Sequence, residues 1–176
     1  MAAARIECRI APADIPEVLG QGEGAEEYVS RLAREKAGAV RAGEDELVLA
    51  ADTTVVVDGL VLEKPRDDGD AARMLRLLSG RTHVVLTGIC WRDGARTSGA
   101  VERTLVRVAP LSEEDIRRYI ESGEPFGKAG AYGIQGMFSR WVEGVEGCYF
   151  NVVGLPVGRV WRELEKLAAS LTASPV

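Results

Sequence analysis

Between Leu47 and Val57 the chain carries a nearly continuous run of Leu, Ala and Val, and at its centre stands an aspartate, Asp52, followed by Thr53 and Thr54. An apolar run of this length without alternation is the pattern of a strand covered on both faces, so the fold must place layers on either side of a sheet. A carboxylate inside such a strand is costly unless it is paired, hydrogen-bonded or bound to a metal. Asp52 is therefore either a structural carboxylate bonded to loop amides, or a metal ligand or general base at the mouth of a sheet.

The segments around this strand supply the layers. Asp58-Gly59 is a two-residue hairpin turn, after which Leu60 to Leu62 returns and delivers Glu63-Lys64-Pro65. Ile6 to Ile10 alternates as a short strand, and the Pro- and Gly-bearing stretch from Ala11 to Gly24 reads as a loop. Ala25 to Ala42 predicts a helix with a stripe of Ala25, Val29, Leu32, Ala33, Ala37 and Val40, stopped at Gly43. Asp67 to Ser79 predicts a second helix, facing inward with Ala71, Met74, Leu75 and Leu78. Thr82 to Trp91 and Glu102 to Val108 predict strands joined through a turn at Asp93-Gly94. Ser112 is the N-cap of a third helix reaching about Glu121. Gly127 to Gly136 is too rich in glycine for a regular element and reads as a functional or irregular loop. Trp141 to Val145 predicts a short strand. Val157 to about Leu171 predicts a last helix with Val160, Trp161, Leu164 and Leu167 inward, and Thr172 to Val176 a frayed tail. The expected architecture is an α/β (α+β layered) domain, a mixed sheet flanked by helices, with residues 1–176 forming a single domain.

Composition narrows the function. The net charge is −5 and there is no Lys/Arg run of the kind that tracks a phosphate backbone, which disfavours nucleic acid but leaves a small anionic substrate open. No apolar stretch approaches the ~20 residues that span a bilayer, and Met1 to Arg5 has no signal-peptide core behind it. A soluble cytoplasmic protein is expected. Cys8, Cys90 and Cys148 lack CxxC spacing, so they read as ordinary free thiols rather than as a zinc site or a disulfide framework.

Two lysines join Asp52 as candidates. Lys36 lies seven residues after Val29 and four before Val40, on the stripe that faces the interior, where a lysine either snorkels to water or serves a site. Lys64, just before Pro65, leaves a strand at a fixed angle. Cations that clamp a polyphosphate, with an acid that holds Mg²⁺ or activates water, are what phosphoanhydride hydrolysis needs. Gln135, between the glycines of Gly133-Ile134-Gln135-Gly136, is either part of a plain turn or an amide that donates and accepts toward a base edge, phosphate or water. His83 is the only histidine and reads as a strand-start residue with ordinary hydrogen bonds.

Taken in order, the motifs form a series. Leu32-Ala33-Arg34-Glu35-Lys36-Ala37, Ala51-Asp52-Thr53, Glu63-Lys64-Pro65, Leu78-Ser79-Gly80-Arg81-Thr82-His83 and Leu86-Thr87-Gly88 lead, and Ser122-Gly123-Glu124-Pro125, Lys128-Ala129-Gly130-Ala131-Tyr132-Gly133-Ile134-Gln135-Gly136 and Asn151-Val152-Val153-Gly154-Leu155-Pro156 follow. Along nearly its whole length the chain resembles the Maf family. The resemblance implies an elongated α/β domain with a deep central cleft, usually a homodimer. It implies hydrolysis of a nucleoside triphosphate between the α and β phosphates with a divalent metal, Mg²⁺ or Mn²⁺. It places the catalytic acid on Asp52, cleft lysines on Lys36 and Lys64, a second metal carboxylate on Glu17, and specificity positions on Thr53 and Gln135. The AYGIQG loop is similar to that of the branch acting on dTTP and UTP. The family's opening strand and its Ser-x-x-Arg-Arg turn should come before Arg5, and Arg5 and Arg9 do not fit that pattern. The resemblance therefore implies a domain short at its N-terminus. It also leaves a second expectation, a catalytically impaired nucleotide-binding or septum-formation regulatory protein.

Overall fold

The computed structural model describes residues 6–43 and 46–172; Arg5 and the tail at 173–176 lie outside the described residues. The elements run α1 (Ala25–Ala39), β1 (Val48–Val57), β2 (Leu60–Leu62), α2 (Asp68–Leu78), β3 (Thr82–Asp93), β4 (Arg96–Val108), α3 (Glu113–Glu121), β5 (Val142–Glu146), α4 (Tyr149–Val153) and α5 (Val157–Thr172). Short 3₁₀ turns at Ala129–Ala131 and Met137–Trp141 break the loop before β5.

The five strands lie in the order β2-β1-β3-β4-β5. The α/β layering is as expected, but the sheet is not mixed, because every pairing among the described residues is antiparallel. Tight turns are the reason. Asp58 and Gly59 both take positive φ (49° and 79°), the backbone of a twisted two-residue hairpin. Asp93-Gly94 folds β3 directly back into β4. The chain leaving β2 returns through α2 to lay β3 antiparallel to β1.

Alternation along β1 and β3 sorts the side chains to two faces, and both faces are covered, as the apolar run required. Even-numbered positions meet α1: Val48 and Cys90 pack with Ala33 and Ala37, and Leu86 packs with Tyr28, Val29 and Leu32. Odd-numbered positions meet the other helices: Val55, Val57 and Val85 pack with Leu75, Leu78, Tyr119 and Phe138, while Ile89 and Trp91 pack with Val160 of α5. Full burial of each such aliphatic side chain contributes about 1.5–3 kcal/mol.

The helix boundaries follow their caps. The Asp67 side chain accepts from the Asp70 amide at 2.8 Å, and Ser112 and Asp115 form a reciprocal capping box at 3.0 and 3.1 Å. α1 ends at Ala39 rather than Ala42. There the Arg92 guanidinium from β3 donates to the Ala37 and Val40 carbonyls at 2.8 and 2.6 Å, taking up acceptors that another turn of helix would have used.

Two further expectations are corrected. Ile6 to Ile10 is not a strand; residues 6–20 are irregular and Ile10 is 87% exposed. Alternation alone does not make a strand where no neighbouring strand takes up its backbone. Trp161 points outward, 49% exposed, and donates from Nε1 to Glu165 at 2.9 Å; Val160, its neighbour in sequence, takes the inward position. No helix among the described residues is long and apolar enough to cross a membrane.

Candidate active site

β2 pairs only with Val55, Val56 and Val57 of β1. The stretch of β1 from Val48 to Thr54 therefore has β3 on one side and no strand on the other among the described residues. A cavity of ≈ 360 Å³ lies here, within the range of about 300–1,000 Å³ usual for small-ligand sites. Because it wraps the open edge, residues from both faces of β1 line it.

Asp52 stands opposite Gly88 in the register and so faces α1. That opposition matters. A Cβ at position 88 would lie 2.3 Å from the Val29 carbonyl oxygen, so only glycine lets α1 pass this close to the sheet. Two turns further along α1, Lys36 reaches down, and its Nζ lies 2.6 Å from Asp52 Oδ1 and 2.6 Å from Glu17 Oε1. Lys64, delivered by β2, donates to the other oxygen of Glu17. Four charged groups thus alternate in sign along one chain of contacts, Asp52–Lys36–Glu17–Lys64. The Asp52 carboxylate is bonded to an ammonium, where one reading of the sequence expected loop amides.

Burial sets the electrostatics. Asp52 is 8% exposed, and desolvation pushes its carboxyl above the usual range although Lys36 pulls the other way. Burial also pushes the Glu17 carboxyl up, but hydrogen bonds from Lys36 and Lys64 outweigh it and hold the group below its ordinary value. Burial lowers the Lys36 ammonium, and its contacts with Asp52 and Glu17 reverse this, leaving it raised and firmly charged.

Thr53 turns to the opposite face of β1. Its hydroxyl is 2.8 Å from that of Thr87, its cross-strand partner, and donates to the Gly154 carbonyl at 3.4 Å. Thr87 donates to the Asn151 carbonyl at 3.2 Å. The buried Asn151 amide donates to Val85 O and Thr104 Oγ1 at 3.1 and 3.0 Å. This network fixes the wall contributed by α4. The loop from Gly127 to Gln135 closes another side and is tied to the lysine-bearing segment by a bond from the Gly130 amide to Glu63 O at 3.1 Å.

The six side chains expected from the sequence, Glu17, Lys36, Asp52, Thr53, Lys64 and Gln135, all line this one cavity. His83 does not. It is 1% exposed, with Nε2 2.7 Å from Tyr132 Oη, and burial lowers its pKa to about 4. Lys128 and Tyr132 also line the cavity and were not singled out from the sequence. The signal for Lys128 was its place in the glycine-rich loop, where a long cation has little surface to cover.

Among the described residues no group of three or more His, Cys, Asp or Glu side chains is placed to hold a metal by itself. Two carboxylates, Asp52 and Glu17, nevertheless converge on a single ammonium. That oxygen-only pair suits Mg²⁺ or Mn²⁺, because small hard cations bind through one or two carboxylates and complete their shell with phosphate oxygens and water.

Comparison with known proteins identifies the family. The family described as Maf-like protein matches residues 1–167. A dTTP/UTP pyrophosphatase of Koribacter versatilis is 55% identical over 164 residues, covering 93% of this chain and 85% of that protein. One of Syntrophomonas wolfei is 48% identical over 169 residues, covering 94% and 89%, and one of an Anaeromyxobacter species is 54% identical over 153 residues, covering 84% and 73%. Since the family match takes in almost the whole chain and every element that lines the cavity, the chain belongs to the Maf family.

Proposed function

We propose that this protein is a nucleoside triphosphate pyrophosphatase that hydrolyses dTTP and UTP to the monophosphate and pyrophosphate. The observation that carries the reading is the buried Asp52 carboxylate sharing one cavity with Lys36, Glu17 and Lys64. The names of the relatives supply the substrate class.

In this reading water attacks the α-phosphorus in line with the bridging oxygen to the β-phosphorus. The new bond is between water oxygen and Pα, the bond broken is Pα–O, and pyrophosphate leaves. Asp52 accepts the proton of the attacking water. Its desolvated carboxylate is more basic than a free one, which favours that transfer. Lys36 and Lys64 stabilise charge accumulating on the leaving pyrophosphate. Asp52 and Glu17 would hold a divalent cation, which when bound would supply charge neutralisation of the triphosphate. Thr53, held by Thr87, and Gln135 contact the nucleoside.

Pyrophosphate release from dTTP and UTP by the purified chain tests the reading. Asp52→Asn is expected to lower kcat by about 10²–10⁴-fold, the usual contribution of a positioned general base. Unchanged turnover in that variant would refute the role of Asp52. Nucleotide binding by the unmodified chain without any turnover would replace the enzyme by a binding protein.

A further inference from the structure

In Leu86-Thr87-Gly88 the glycine lets α1 approach the sheet, but Thr87 has no part in the chemistry above. It is fully buried on β3, and so are the polar side chains behind it, Asn151 and Thr104. Together they form a line of hydrogen bonds that crosses the sheet. Asn151 Nδ2 donates to Thr104 Oγ1 and to Val85 O, and Thr87 donates to the Asn151 carbonyl. Thr53 is the last member of the line and the one that lines the cavity.

The line has a direction. A hydroxyl carries one proton and two acceptor lone pairs. The Asn151 carbonyl can only accept, so it takes the Thr87 proton at 3.2 Å. The 2.8 Å contact between the two hydroxyls is then made with the proton of Thr53. The Gly154 carbonyl, which shares that proton at 3.4 Å, also only accepts. Reversing the first bond changes nothing at the cavity: were Thr87 to donate to Thr53, the Thr53 proton would go to Gly154 O. Either way Thr53 turns lone pairs, and no proton, toward a ligand.

We propose that Thr87 is a positioning residue that fixes the Thr53 hydroxyl as an acceptor, so that Thr53 receives a hydrogen bond from the nucleoside and takes no part in holding phosphate; this rests on the pyrophosphatase reading above. Ionised phosphate oxygens only accept, and two acceptors facing each other gain no hydrogen bond. The groups of a nucleotide that donate are the sugar hydroxyls and the base N–H. Strand alternation separates the two tasks. Asp52 faces α1 and the lysine of that helix, while Thr53 faces Thr87 and the turn at Gly154.

The test compares kcat and KM for UTP in the full chain, in Thr87→Val, which keeps the shape and removes the hydroxyl, and in Thr87→Ser, which restores it. Thermal melting checks that each is folded at the assay temperature. Thr87→Val should raise KM about 3- to 10-fold, the scale of one hydrogen bond between neutral groups. Its kcat should hardly change, since the contact is made equally in the ground state and the transition state. Thr87→Ser should recover most of the loss. In a Thr53→Val background, Thr87→Val should add little; the same rise in KM there would mean that Thr87 acts on the fold and not through Thr53, and would overturn the assignment. Tripolyphosphate with Mg²⁺, which has the phosphates and no nucleoside, should inhibit the unmodified chain and Thr53→Val equally. Weaker inhibition of Thr53→Val would make Thr53 a phosphate contact and overturn the acceptor role. Two analogues locate the donor: the KM penalty of Thr53→Val should vanish with N3-methyl-UTP if the base donates, and with 2′,3′-dideoxy-UTP if the sugar does. A penalty undiminished with both would also overturn it. If the unmodified chain releases no pyrophosphate from UTP, the pyrophosphatase reading fails by itself, and the Kd for UTP in the same variants decides the role of Thr87.

Discussion

At the scale of single residues, the site and the core use burial in opposite ways. Asp52 is desolvated but accompanied, and the contact with Lys36 keeps a charged carboxylate tolerable in the sheet. His83 is desolvated without a counter-charge: among the described residues Nδ1 has no hydrogen-bond partner, and Nε2 shares a hydrogen bond with Tyr132. Its folded pKa is about 4 against an ordinary 6.5, so between these values the unfolded chain binds the proton that the folded chain refuses. The stability His83 contributes is present above pH 6.5 and is lost as pH falls from 6.5 toward 4. The difference corresponds to about 3 kcal/mol. Urea midpoints measured from pH 7 to pH 4 should fall across that window, and His83→Gln, which keeps a polar partner for Tyr132, should flatten the slope. Asp52, whose carboxyl is pushed up, contributes with the opposite sign, so it is the difference between the two proteins that isolates His83. Parallel pH curves for the two would show that His83 is not held neutral.

At the scale of elements, the reach of Lys36 to Asp52 depends on how closely α1 lies on β1 and β3. Gly88 sets that distance. Gly88→Ala puts a methyl into the Val29 backbone, which cannot rotate aside, so the helix must lift. Overpacking of this kind costs about 1–3 kcal/mol, and the lift carries Lys36 away from the carboxylates. Gly88→Ala should therefore lower both Tm and pyrophosphate release at temperatures where it is still folded. Gly38→Ala, also on α1 but with open space around its Cβ, should stabilise by about 0.5–1 kcal/mol and keep activity. Equal behaviour of the two would mean that α1 does not position Lys36. None of this closeness shows in the sequence, where Gly88 is one residue in a hydrophobic strand. What was legible came from strong local signals: the apolar run of β1, the Asp58-Gly59 turn, the caps Asp67 and Ser112, and the anomalous charges Lys36 and Asp52. The antiparallel course of the sheet and the outward turn of Trp161 depend on which elements meet, and periodicity does not encode that. Asp52, Lys36 and Lys64 were legible as a constellation, and the resemblance added Glu17 to the same cleft; what no local pattern gives is the order of contacts, Asp52–Lys36–Glu17–Lys64, because its members lie between positions 17 and 64. Lys128 carried only a weak local signal, a long cation in a glycine-rich loop; that its hydrogen bond among the described residues goes to the Glu124 carbonyl is a matter of tertiary contact.

At the scale of the whole molecule, the cavity is a junction. Its lining comes from the irregular N-terminal segment at Glu17, from α1, β1 and β3, from the glycine-rich loop and from the turn at Gly154. A ligand that touches Lys36, Lys64 and Gln135 at once ties together parts of the chain that are otherwise joined mainly through the sheet. Binding should then appear as global stability, since anything that binds the folded state alone stabilises it by RT ln(1 + [L]/Kd), about 2.7 kcal/mol at a hundredfold excess over Kd. For a chain of 176 residues this corresponds to a rise in Tm of about 5–10 °C. Asp52→Asn is the suitable protein for the measurement, because it keeps the shape of the site while removing the proposed base that would consume the ligand. It also releases Lys36 from one of its two carboxylates, which frees that ammonium for phosphate. UTP with Mg²⁺ should raise the Tm of Asp52→Asn, with the midpoint still climbing as UTP is increased. Lys36→Met introduced into the same protein should remove most of the rise. The overall charge of −5 opposes approach of a triphosphate, so the stabilisation must come from the local lysines and should weaken as salt screens them. A Tm indifferent to UTP at every salt concentration would mean that this cavity does not hold the nucleotide.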